Sequence, residues 1–147
     1  MSTLAAVAQV HAAATLFMVG VIWFVQVVHY PLFPHVTRDG FPRFQKEHES
    51  RTTWIVGPAM AAESLAAIAL TVLGWPHLSH AALVTGLVLL GAIWLSTGLL
   101  QIPKHRILES GFDAAAHHFL TTSNWIRTTA WTARGALAFA LLHEVSR

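Results

Sequence analysis

The sequence predicts an all-α integral membrane protein, a four-transmembrane-helix bundle with short interfacial amphipathic helices. Only 11% of its 147 residues are charged, against about 25% in an average soluble domain. Hydrophobic residues make up 54%, and mean hydropathy is +0.54. The apolar residues fall into four blocks, roughly Leu4–Val28, Trp54–Leu73, Ala81–Ile102 and Ile126–Leu142. Each is at or near the ~20 helical residues that cross a bilayer core of about 30 Å. The length fits a single membrane domain of two hairpins, about 1–75 and 76–147.

The first block must be helical, because lipid offers no partner for backbone polar groups. Pro31 and Pro34 are expected to end it. No Lys or Arg precedes Arg38, so the block lacks the basic flank of a cleaved signal peptide and is expected to be retained. In the segment after it, Phe41, Phe44, His48 and Arg51 recur at i, i+3, i+7 and i+10. That spacing puts them on one stripe of an interfacial helix, with His48 turned toward the bundle.

Block two begins near Gly57-Pro58, where a kink or break is expected, and leaves at Gly74-Trp75-Pro76. Block three carries Trp94, Thr97 and Gln101 on one face. The connection Lys104–Asn124 is long enough for a second interfacial helix, about Phe112–Thr122. Block four places Arg127, Trp131 and Arg134 at i, i+4 and i+7, again one stripe.

Seven of the nine basic residues lie in or beside the two long connections: Arg38, Arg43, Lys46, Arg51, Lys104, Arg106 and Arg127. By the positive-inside rule those connections face the cytoplasm of a bacterial inner membrane, and both termini face out. The basic residues are few and mixed with acids, so nucleic acid is not an expected partner. With no cysteine, disulfides and thiolate chemistry are excluded. Short echoes suggest a repeat of two hairpins related by an axis along the membrane normal. Arg51-Thr-Thr returns as Arg127-Thr-Thr, and Gln26-x-x-His29 with Pro31 returns around Gln101, Pro103 and His105.

Ten histidines are the compositional anomaly. His29, His48, His105 and His117 gather on the cytoplasmic side, and Glu63 and Arg134 lie within apolar blocks. Ionisable groups at membrane depth mark function or a pair. Histidine with carboxylate suits a transition metal, iron or copper before zinc. His29, His48 and Glu63 are the expected ligands, with His105 and His117 as additions. Asp113, four residues before His117, shares its helix face, a spacing that fits metal ligation or a carboxylate orienting the histidine. Gln26, Gln101 and Asn124 would support the cofactor or, more plainly, bridge helices. Arg51, Arg127 and Arg134 would steady anionic intermediates, and Glu63 with Arg134 could equally be a structural pair. The tryptophans would wall the site.

On Gln26-x-x-His29-x-Pro31, His48-x-x-Arg51 and Asn124-Trp-Ile-Arg127 with Trp131 and Arg134, the chain resembles small bacterial four-helix membrane proteins, in particular the anthrone-oxygenase-like group. The resemblance implies an oxidoreductase acting on a lipophilic, aromatic or quinone-like substrate. Size and helix count are also similar to the membrane-bound, haem-containing protoporphyrinogen oxidase of bacteria. That second resemblance implies haem b, held by two facing histidines such as His29 and His105, although the family's haem-ligand pattern is not found. A third reading is a proton-coupled transporter using Glu63 and the histidines as a relay, which would need a homo-oligomer to enclose a pathway.

Overall fold

The computed structural model describes residues 2–147, and among them every regular element is helical. Four long helices follow in order: α1 Thr3–His35, α2 Phe41–Gly74, α3 His80–Leu108 and α4 Ala114–Val145. Ser2, Ser79 and Asp113 cap α1, α3 and α4, each side-chain oxygen accepting from the backbone N–H three residues on. Such a bond satisfies one of the amides that a helix start leaves orphaned.

The helices are longer than hydropathy suggests. Pro31 does not end α1, because a π turn at Val25–His29 immediately precedes it. Proline lacks an N–H, and its ring crowds the carbonyl four residues back. A wider turn at that point lets the helix continue, and Phe33–His35 then closes it as a tight 3₁₀ turn. The device recurs in α3, where a π turn at Thr97–Gln101 precedes Pro103 by the same two residues. Pro58 lies inside α2 without breaking it. The expected interfacial helices are therefore not separate elements. Phe41–Arg51 is the opening of α2, and most of Phe112–Thr122 is the opening of α4. Charge changes at the membrane surface, whereas the hydrogen-bonded ladder does not.

By length and composition α1, α2 and α3 can each cross a membrane. The fourth helix has 32 residues but carries Arg127 and Arg134. It is nonetheless central, since α1 packs on both α2 and α4, α4 packs on α3, and α2 touches α3 only lightly. Its polar residues Asn124, Arg127, Thr128 and Arg134 are buried against these neighbours. A Cβ on Gly135 would come within 3.2 Å of Val19, so the close approach of α4 to α1 depends on a missing side chain.

Three apolar layers fill the bundle. Tyr30, Phe33, Phe41, Leu108 and Leu120 pack beside the loops, and Met18, Ile22, Met60, Ile93 and Trp131 fill the middle. Ala8, Leu70, Leu83 and Leu141 pack at the end that holds both termini. The outside is apolar too, with Trp54 79% exposed and Leu65, Val72 and Leu99 each 70%. In water such a surface would be an aggregation liability, whereas in lipid it is the matching solvent. Of the tryptophans only Trp131 is buried, and Trp23, Trp54, Trp75, Trp94 and Trp125 belong to this outer surface. They do not wall an interior site.

Candidate functional site: a lipid-facing cleft ending in histidines

Between α1 and α2 on the outer surface lies a cleft of about 750 Å³. Its length is apolar, lined by Leu16, Phe17, Val21 and Phe24 of α1 and by Ile55 and Val56 of α2. Gly20 forms part of the floor, and no atom stands within 4 Å of where its Cβ would be. Near the loops the lining becomes polar, with His29, Glu47, His48, Arg51 and Thr52. The cleft thus has the polarity of an amphiphile, with a long apolar stretch and one polar end.

At that end His29 Nε2 and His48 Nδ1 lie 2.8 Å apart, and their ring centroids are 4.5 Å apart. Thr52 Oγ1 is 3.1 Å from the same His48 nitrogen. One nitrogen of the histidine pair must donate and the other accept, so the pair shares a proton between two helices. Phe33 and Phe44 pack edge-on or stacked against these rings and fix their planes. Arg51 stays on the exposed side, paired with Glu47 at 3.4 Å.

Behind the pair, His105 lies with its centroid 5.5 Å from His48. Its Nε2 meets the Tyr30 hydroxyl at 3.1 Å and its Nδ1 meets Gln45 Nε2 at 2.8 Å. Gln45 also donates to Glu49 at 2.7 Å. His105, read from sequence as an addition to the ligand set, is the inner member of a three-histidine row. Tyr30 and Gln45 were missed as site residues. Gln45 lies four residues after Phe41 and three before His48, on the same inward stripe, and that spacing was the available signal.

Glu63 does not join this row. It lies fifteen positions beyond His48 on α2, roughly 22 Å along a helix. There its Oε1 pairs with Arg134 of α4, accepts from Thr15 at 3.2 Å and lies 3.5 Å from His11. Arg134 also donates to the Gly86 carbonyl of α3, so all four helices meet at this pair. The expected ligand set of His29, His48 and Glu63 therefore does not converge.

Among the described residues no three His, Asp or Glu side chains are grouped to hold a metal ion. His117 instead donates from Nε2 to the Tyr30 carbonyl at 2.8 Å, and Asp113 is taken up as the α4 cap rather than orienting His117. Gln26 accepts from Asn124 at 2.8 Å and donates to the Thr121 carbonyl. Gln101 accepts from Ser96 and donates to Ser123 at 3.1 Å. These amides bridge neighbouring helices or brace one turn, and none faces the cleft. Arg127 is buried and does not line the cleft.

No family model, curated protein or solved structure matches the chain. The fold and the site define an all-helical membrane bundle with an outer apolar cleft closed at one end by histidines.

Proposed function

We propose that the protein is a membrane-embedded oxidoreductase whose substrate is a lipophilic molecule, aromatic or quinone-like, drawn from the bilayer into the α1–α2 cleft. One observation carries this reading: an apolar cleft open to lipid ends on two histidines that share a proton at 2.8 Å. A quinol or phenol placed there would have its ring and tail among Phe17, Phe24 and Ile55 and its oxygen at His29 and His48. Oxidation releases protons as well as electrons, and a neutral histidine offers a lone pair that can take such a proton. Arg51 would attract the developing negative charge on the oxygen.

A transition metal, iron or copper, would be the electron acceptor. His29 and His48 would hold it only on giving up the hydrogen bond between them, since one of the two facing nitrogens carries the proton. Solvent or substrate oxygen would complete the coordination, since Glu63 is remote. A haem held by two facing histidines would need such a release at both, His29 from His48 and His105 from Tyr30 and Gln45. The charged loop end would face the cytoplasm.

The test is a titration of protein in lipid nanodiscs with an alkyl-benzoquinone, followed by tryptophan fluorescence, alongside His48→Phe. Saturable binding that the variant loses supports the reading. Quinone that only partitions into the nanodisc, alike with and without protein, overturns it.

A further inference from the structure

Thr52 turns its hydroxyl away from its own helix. Thr71, Thr97, Thr129 and Thr132 each donate to the carbonyl four residues back, at 2.7 or 2.8 Å. That bond is the usual outlet for a threonine hydroxyl within a helix. Thr52 Oγ1 instead meets one partner among the described residues, His48 Nδ1 at 3.1 Å. The same nitrogen faces His29 Nε2 at 2.8 Å.

Two groups converging on one nitrogen decide where the protons lie. A neutral imidazole has one N–H and one bare nitrogen, and a hydroxyl has one hydrogen to give. If His48 Nδ1 is bare, it accepts from His29 Nε2–H and from the Thr52 hydroxyl, and both hydrogens are used. If His48 Nδ1 carries the proton, one hydrogen is split between two acceptors, and the Thr52 hydrogen has no acceptor among the described residues. A hydrogen bond of ordinary strength tilts such an equilibrium about tenfold. The first arrangement therefore prevails, and it leaves His29 bare at Nδ1 and His48 protonated at Nε2. Neither of these outer nitrogens has a hydrogen-bond partner among the described residues, and neither is a buried atom. His29, His48 and Thr52 all line the cleft.

We infer that Thr52 is a positioning residue that fixes the tautomers of the histidine pair, so that His29 offers a ligand the bare Nδ1 and His48 offers the Nε2–H. The tautomers stand on the hydrogen bonds alone, whereas their use rests on the quinone reading. A quinone carbonyl only accepts, so His48 holds the oxidised head. A quinol hydroxyl also donates, so His29 joins in holding the reduced head. Reversing the pair would exchange these roles.

The experiment is proton–nitrogen correlation NMR of protein in lipid nanodiscs, with isotope-labelled histidine and at a mildly alkaline pH where both rings are neutral. The signals lost in His29→Phe and in His48→Phe assign the two rings. Wild-type protein should show both rings protonated at Nε2. Thr52→Val, close in shape but without the hydroxyl, should raise the reversed arrangement about tenfold. His48 Nδ1 would then move toward the protonated shift as Nε2 moves away from it, an opposed change that a packing defect does not produce. Thr52→Ser should restore the wild-type pattern. A proton on His48 Nδ1 in the wild type, or wild-type tautomers in Thr52→Val, overturns the inference. Added alkyl-benzoquinone should shift His48 Nε2 alone, and alkyl-hydroquinone should shift His29 Nδ1 as well. A quinone that shifts His29 Nδ1 and spares His48 overturns the assigned roles. Ligands that shift neither ring while the tautomers respond to Thr52 overturn the quinone reading and uphold the control by Thr52.

Discussion

Glu63 of α2 and Arg134 of α4 form an ion pair in the interior of the bundle, with Thr15 and His11 of α1 against the same carboxylate oxygen. Both side chains are at most 2% exposed, so neither charge can be hydrated in place of its partner. Removing one partner strands the other, and Glu63→Ala or Arg134→Ala should cost about 3–5 kcal/mol. The double replacement Glu63→Leu with Arg134→Leu should cost less than either alone. Unfolding in mixed micelles measures this, and additive losses would show that the pair is not coupled.

Close packing of α1 on α4 rests on Gly135. A leucine there would drive into Val19 and Leu16, which stand 3.2 and 3.7 Å from the position of a Cβ. Gly135→Leu should destabilise by about 1–3 kcal/mol through overpacking. Gly91 has no atom within 4 Å of the same position, and Gly91→Leu should leave the Tm within a degree or two or raise it. A melting curve for each settles the contrast.

Both loops, 36–40 and 109–113, lie at one end of the bundle. The termini lie at the other, where Ser79 donates to Glu144 at 2.9 Å. Because the chain has no cysteine, single cysteines report topology cleanly. Ser110→Cys should react with an impermeant maleimide only from the cytoplasmic side, and His77→Cys only from outside. The reverse pattern would invert the proposed orientation.

The fold class was readable because lipid enforces it: apolar blocks of bilayer length have few alternatives to helices. Helix ends were not readable. Pro31 and Pro103 look like stops in a sequence, and only the π turns before them show how the ladder passes through. The stripe of Arg127, Trp131 and Arg134 was legible from its spacing, and all three are buried. So was the approach of His29 to His48, since one ends an apolar block and the other faces inward from the next. That Glu63 belongs with His11 and Arg134 was only half legible. Glu63 lies nine residues past Trp54 and Arg134 nine past Trp125, a spacing that fits equal depth, but depth says nothing of which histidine lies across the interface. Tyr30, the only tyrosine of the chain, was passed over because aromatic residues near an interface are common.

At the polar end of the cleft, His29→Ala should weaken quinone binding by about tenfold or more, the loss of one hydrogen bond and its packing, or about 1.4 kcal/mol. Arg51→Gln, at the exposed rim, should change it less than threefold. Equilibrium titration of the two variants side by side checks the order, and a larger effect at Arg51 would move the site outward to the Glu47–Arg51 pair.

The most direct test fills the cleft without touching its chemistry. Gly20 lines it with open space where a side chain would stand, whereas Gly91 has similar space on α3 but no part in the cleft. Gly20→Phe and Gly91→Phe should both fold, as judged by melting curves. Quinone binding should fall at least tenfold in Gly20→Phe and stay unchanged in Gly91→Phe. Equal binding in the two variants would contradict a ligand site between α1 and α2.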